Sequence, residues 1–218
     1  MIDLQRVNKD KFILAIHCTY DYFGFAYKEL SNKNAKNSFY IKKVDIDLTR
    51  NLITHLAEFL NKKKVKNIER ITISIGPSNF NASRQIVVCA RALAQQINCS
   101  LDKYSCFELM AKRIAIKQNI FKNNQKFWIF KKLKRRGYIA GKYCIRDNDY
   151  HNSNLQIDEM ISPNLYKDLL NKQSLFEAEY DIKSELKELL DLSTINYKKF
   201  IINDWEKVFP IYPIDAVN

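Results

Sequence analysis

Two stretches of this chain carry residue types that could do chemistry. The first is His17-Cys18-Thr19, closing the apolar run Phe12–Ile16, with Asp21 just beyond. The end of a first strand is where two-metal nucleases and phosphate-handling enzymes place a carboxylate, because Mg²⁺ takes hard oxygen ligands. Histidine is a poor Mg²⁺ ligand, and Cys18 and Thr19 supply no carboxylate. Asp21 sits past the strand end and would have to be recruited. The bland reading of His17 is a partly buried ring satisfied by a nearby carbonyl or hydroxyl, which argues against nuclease and ATPase alike. The second stretch is the corner Gly76-Pro77-Ser78-Asn79-Phe80-Asn81-Ala82-Ser83-Arg84. Such strand-to-helix corners hold phosphate loops in α/β proteins, and Arg84 would add a cation to the free N–H groups of the helix start. This corner lacks a phosphate-loop lysine and a Gly-x-Ser-x-Gly nucleophile, and Ser78 and Ala82 carry side chains where close backbone approach favours glycine. It reads either as an anion cradle or as a structural corner with Phe80 plugging the core.

Other reactive residues are scattered. His17, His55 and His151 have no metal-ligand spacing, so no metal and no cofactor is expected, and no catalytic residue is assigned. Cys18, Cys89, Cys99, Cys106 and Cys144 form no C-x-x-C pair and are odd in number. Together with the lack of a charged-then-apolar leader, they predict a cytoplasmic protein with reduced thiols. The densest basic run is Lys131-Lys132-Leu133-Lys134-Arg135-Arg136, followed by Gly137-Tyr138. It is either a solvated loop or a hairpin tip that contacts RNA phosphates, with Tyr138 near enough to stack on a base.

The elements that must position these residues follow from periodicity. Phe12–His17 reads as a strand buried on both faces. Tyr22–Lys28 and Phe39–Val44 follow as strands, separated by the polar turn Asn32–Asn37. Thr49 is a candidate cap for a helix with the stripe Leu52, Ile53, Leu56, Phe59 and Leu60, ended by Lys62–Lys64 at the negative end of its dipole. Ile71–Ile75 is a fourth strand, and a helix runs from Asn79 to about Ile97 with Ile86, Ala90, Leu93 and Ile97 toward the sheet. On its far side Val88 and Ala92 lie four apart, beside the small Cys89 and Ala82. That face meets either the Leu52–Leu60 helix or a partner's helix. Beyond it, Ser105-x-x-Glu108 is a capping box, Lys126–Phe130 and Tyr138–Tyr143 read as paired strands, Ser162-Pro163 as a helix start, and Ile182–Leu190 as a charged helix. Three antiparallel-capable strands, then helix, strand, helix, is the ribonuclease H-like half of an actin-like ATPase α/β fold. Two lobes are expected, residues 1–111 and 112–218.

The corner resembles the signature of the TsaB (YeaZ-like) family, a hydrophobic strand leading into Gly-Pro-Gly-Ser-Phe-Thr-Gly-Leu-Arg and an Ala-rich helix. Gly76, Pro77, Phe80 and Arg84 match it, while Ser78, Asn79, Asn81 and Ala82 depart from it. In register, Ala90-Arg91-Ala92-Leu93-Ala94 resembles the family's Ala-Lys-Gly-Leu-Ala, and Tyr104–Leu109 resembles its Val-Ser-Ser-Leu-Glu-Ala. Phe12–Thr19 looks like its opening strand Ile-Leu-Ala-Ile-Asp-Thr-Ser, with His17 in the aspartate's place. Arg135-Arg136-Gly137-Tyr138 is similar to a family hairpin, and Phe209–Pro213 to its Pro-x-Tyr-Leu-Arg ending. The resemblance is good over Phe12–Ala111 and thinner beyond. It implies a divergent, non-catalytic dimerisation subunit supporting a TsaD-like threonylcarbamoyltransferase which, with a TsaE-like ATPase, installs N6-threonylcarbamoyl on the adenosine beside the tRNA anticodon. The implied partner surface lies on the two N-terminal-lobe helices: Leu52, Leu56, Phe59, Ala82, Val88, Cys89 and Ala92. A homodimer would use the same surface.

Composition sets the outer bounds. A chain of 218 residues with 46% hydrophobic content suits one large domain or two small lobes. No apolar run approaches the ~20 residues that a membrane span needs. A formal charge of +12 attracts RNA. It leaves open an alternative, a basic RNA-binding or ribonuclease H-like RNA-processing enzyme, which a cluster of Asp and Glu at strand ends would favour.

Overall fold

The computed structural model describes residues 11–31, 36–44, 48–61, 65–134, 136–149 and 154–212. The chain divides into two compact units. One comprises residues up to Tyr104 together with Ile182–Pro210, and the other is Ser105–Asp181 with the residues from Ile211. The expected division at residue 111 is therefore displaced. The second unit begins at the capping box, and the charged helix near residue 190 returns to the first unit.

The first unit is a five-stranded sheet of order β3-β2-β1-β4-β5: β1 Phe12–Cys18, β2 Tyr22–Glu29, β3 Ser38–Lys43, β4 Ile68–Ser74 and β5 Ser100–Tyr104. The strands β1, β2 and β3 pair antiparallel, whereas β4 and β5 join parallel to β1. Every residue of β1 is buried, as its unbroken apolar run requires of a central strand covered on both faces. Helices α1 (Leu48–Leu60), α2 (Phe80–Ile97) and α4 (Ile182–Lys198) complete the unit. Alternation along β1 assigns the faces. Cys18 bonds to Ser83 of α2 on one side, and His17 to Glu185 of α4 on the other. Gly24 lies opposite His17. A Cβ there would sit 2.7 Å from the Tyr40 carbonyl and 3.0 Å from Leu186 of α4, so glycine lets that helix close on the sheet.

The face under α4 is unusually polar. Arg70 donates to Asp102 at 2.6 Å, and Ser193 and Asn203 donate to the same carboxylate, each at 2.6 Å. Arg70 also donates to the Ile201 carbonyl. The amide of Leu101 donates to the Asn203 carbonyl, so the segment after α4 covers part of the β5 edge, a standard protection of exposed strand groups.

The second unit holds α3 (Cys106–Lys117) and a four-stranded sheet of order β8-β7-β6-β9: β6 Lys126–Leu133, β7 Gly137–Asp149, β8 Asn154–Tyr166 and β9 Leu175–Glu177. The α3 capping box forms as expected. The Ser105 hydroxyl accepts from the Glu108 amide at 3.0 Å, and Glu108 accepts from the Ser105 amide. One sheet face packs Phe127, Ile129, Tyr143 and Ile145 against Phe107, Met110 and Ile114 of α3.

Ser162-Pro163 does not start a helix; both residues lie in β8. This is an edge strand, and its register with β7 slips between Ala140 and Lys142, opposite Ile161–Asn164. A proline that cannot donate to the ladder is tolerated at such an edge bulge. Its helix-start appearance was local, and strand pairing overrode it. The polar turn at Asn32–Asn37, the Lys62–Lys64 helix end, Arg135, His151 and Pro213 fall wholly or mainly outside the described residues. No described helix is long and apolar enough to cross a membrane.

Candidate functional site

The Gly-Pro corner is closed on itself. Gly76 takes φ 100°, a left-handed conformation that favours glycine. Asn79 caps α2 by accepting from the Ala82 amide at 3.1 Å. The Ser83 hydroxyl donates to the Asn79 carbonyl at 2.8 Å, and Ser78 and Ser83 share a 2.6 Å hydrogen bond. Cys18 reaches Ser78 at 3.2 Å. The corner's hydroxyls and its cap are thus engaged internally, which favours the structural reading of this loop. Phe80 is not its core plug. It is 41% exposed, with the Arg84 guanidinium 5.4 Å from its ring centroid, so Phe80 and Arg84 form an outward cation–π pair. Pro77, Ala82 and Ser83 are the corner side chains that are buried.

The thiols of Cys18, Cys89 and Cys99 are poorly suited to nucleophilic chemistry. Burial pushes the Cys18 thiol up, against the smaller lowering effects of Ser78 and Ser83. Burial also raises Cys89, and it pushes Cys99 up to about 12. A thiol held above neutral pH is largely protonated and a weak nucleophile.

At the other end of β1, His17 is fully buried, and its partner is not the expected carbonyl or hydroxyl. Nε2 donates to the Glu185 carboxylate at 2.7 Å, and both side chains are fully buried. Among the described residues, His17 Nδ1 and Ser74 Oγ find no hydrogen-bond partner. Ser74 stands on β4 beside His17, two residues past the Ala15–Thr72 pair. Sequence reasoning missed Glu185. Its one signal was a carboxylate on the inward face of the charged helix, at an i, i+4 spacing from the buried Leu189. Asp21 does not join His17 and is exposed. Among the described residues, no three His, Cys, Asp or Glu side chains gather where they could hold a metal ion.

The helix pair presents the other candidate. An open groove of about 480 Å³ is lined by Leu52 and Ile53 of α1 and by Asn81, Arg84, Gln85, Val88, Cys89 and Ala92 of α2. Ile53 and Val88 are 70% and 67% exposed, which is high for apolar side chains standing side by side. The seven expected interface residues separate here. Val88 and Ala92 are exposed and Cys89 half-buried in the groove, whereas Leu52 and Leu56 are only 4% and 6% exposed. Phe59 packs on Phe25 and Tyr27 at 5.9 and 5.4 Å. Leu56 and Ala82 therefore belong to the unit's interior, Phe59 lies half-buried against β2, and Leu52 only edges the groove. Ile53, assigned at first to the core stripe, is a surface residue.

In the basic run, Lys132, Lys134 and Arg136 are exposed around the β6–β7 turn. Lys131 lies on the opposite face of β6, its ammonium 5.4 Å from the Tyr180 ring centroid.

The first unit's strand order and directions define a ribonuclease H-like, actin-like ATPase type of α/β fold. No family model matches the chain, and no curated protein matches it in sequence. Two solved structures from Pseudomonas aeruginosa share the fold at 11% identity. One is an uncharacterized protein with similarity to peptidase YEAZ, with a TM-score of 0.67 over 94% of this chain and 100% of that one. The other is YeaZ, with a TM-score of 0.64 over 93% and 99%. At this identity the likeness is one of fold.

Proposed function

We propose that this chain is a TsaB-type, non-catalytic scaffold subunit. It supports a TsaD-like threonylcarbamoyltransferase, acts with a TsaE-like ATPase, and serves N6-threonylcarbamoyladenosine formation on tRNA in the cytoplasm. The observation that carries this reading is the apolar α1–α2 groove, outward on a YeaZ-like fold and suited to a partner's helices. The engagement of His17 with Glu185 supports it, because a first-strand side chain turned into the core is poorly placed to hold magnesium phosphate. Homodimer and TsaD heterodimer would use the same surface, so they should compete.

Mixing the purified chain with a TsaD-like subunit is the direct test. Size-exclusion chromatography with light scattering is expected to show a heterodimer growing at the expense of the homodimer. Alone with Mg²⁺ or Mn²⁺, the chain should neither release phosphate from ATP nor cut RNA. Turnover lost on His17→Ala or Asp21→Asn would overturn the scaffold reading in favour of the processing enzyme.

The basic turn gives a second expectation for the assembled complex. If the turn meets tRNA phosphates, neutralising Lys134, Arg135 and Arg136 weakens binding and flattens its salt dependence by about one log–log unit per lost contact. Phosphate contacts carry no base information, so the loss should be uniform across tRNA sequences. An unchanged slope would assign the turn to solvated surface.

A further inference from the structure

The sheet of the second unit has two unlike faces. One packs on α3, the helix of this unit. Strand alternation puts Trp128, Phe130 and Lys132 of β6 on the other, with Tyr138 and Lys142 of β7 across from them: Trp128 pairs with Lys142, and Lys132 with Tyr138. Tyr138 pairs in turn with Tyr166 of β8. Phe130 and Tyr138 are both partly exposed and meet edge to face, their ring centroids 6.0 Å apart.

The lysines on this face are held in place. The Lys172 ammonium stands 4.5 Å from the Trp128 ring centroid and 4.2 Å from that of Tyr166, and Lys142 stands 5.6 Å from Trp128. Trp128 is 9% exposed, so it anchors cations instead of offering a bare ring. The free aromatic surface belongs to Phe130 and Tyr138. Among the described residues, strand pairing puts two carboxylates on the face. Asp158 is paired with Arg146 at 2.6 Å, and Glu177 of β9 lies opposite Phe130 at the far edge. Positive charge therefore dominates the central strands and continues to Lys134 and Arg136 at the turn.

We propose that this face binds single-stranded nucleic acid, with bases stacking on Phe130 and Tyr138 and phosphates meeting Lys132, Lys142 and Lys172. Rings lying on the central strands of a sheet reach unstacked bases and not those inside a duplex. An acidic protein would engage the lysines and leave the rings without a role. The inference concerns the chain by itself and does not rest on the scaffold reading, which stands or falls on helix pairing.

The test is fluorescence anisotropy of the full chain with labelled oligouridylate and oligoadenylate of roughly 12 nucleotides, within the span that such surfaces cover. Matching DNA strands, an RNA duplex of equal length and a polyglutamate competitor complete the set. Both single strands are expected to bind more tightly than the duplex. DNA should match RNA, because neither stacking nor phosphate contact reads the 2′-hydroxyl. Tyr138→Ala and Phe130→Ala should each weaken binding by roughly tenfold at an unchanged salt slope, whereas Tyr138→Phe retains it. Lys132→Gln and Lys142→Gln change exposed or half-exposed groups, and each should flatten the slope by about 0.7. Circular dichroism confirms that each variant is folded. The proposal is overturned by absent binding, by a duplex bound as tightly as the single strands, by folded Tyr138→Ala and Phe130→Ala variants of full affinity, or by displacement with polyglutamate at equal charge.

Discussion

Glu185→Ala is expected to destabilise the protein by about 1–3 kcal/mol, the usual cost of leaving a buried hydrogen-bonding group without its partner. Glu185 and His17 are fully buried and joined at 2.7 Å. Truncation leaves Nε2 without its acceptor next to an Nδ1 that already has no partner among the described residues, and it opens a cavity under α4. Glu185→Gln keeps an acceptor oxygen and should cost clearly less. Urea titration at neutral pH reads both variants. A Glu185→Ala loss below about 0.5 kcal/mol, the range of ordinary surface substitutions, would mean that the pair is not interior. His17→Asp extends the test, since it installs the carboxylate that the TsaB resemblance would place there. Two facing buried carboxylates cannot both ionise cheaply, so one is held protonated with a raised pKa. The unfolded chain gives up that proton more readily, so the variant should lose stability as pH rises above the ordinary carboxylate range.

The same pair shows what the sequence could and could not reveal. That His17 is a poor Mg²⁺ ligand was legible because the requirement of Mg²⁺ for oxygen ligands is local chemistry. The partner of His17 was not, because Glu185 is 168 residues away and its i, i+4 spacing from Leu189 is the one hint in the charged helix that it turns inward. The first unit's strands and helices followed from periodicity and from the Gly-Pro corner. The exception is β5, whose sequence Ser-Leu-Asp-Lys-Tyr hides a strand because Asp102 is buried only by virtue of Arg70, Ser193 and Asn203. In the second unit, Ser162-Pro163 carried a sound local signal that edge pairing overruled. Phe80 was misplaced because an aromatic at a helix start looks like core until Arg84 is seen lying over it. The faces of α1 and α2 were half legible. A 3.6-residue stripe separates inside from outside, but where the stripe is wide it cannot tell Leu52 from Ile53.

Val88→Glu is expected to abolish association through the α1–α2 groove while leaving the subunit folded. Val88 is two-thirds exposed, so a carboxylate there stays hydrated in the free chain and should change stability by no more than about 0.5 kcal/mol. In a helix–helix seam the same charge would be buried without a partner, at a cost of several kcal/mol, roughly. That corresponds to an affinity loss of about a hundredfold or more. Ala92→Arg should behave alike, because Ala92 is exposed one turn further along α2 and a long side chain would hold a second helix away. Leu56→Glu is the contrasting variant. Leu56 is interior, so that change should unfold the unit instead of dissociating an assembly. Light scattering gives the oligomeric state and thermal melts give the fold. A monomeric, folded Val88→Glu protein beside an unfolded Leu56→Glu protein would assign the groove as the partner surface. A Val88→Glu protein that still pairs at full affinity would move that surface elsewhere and remove the main support for the scaffold reading.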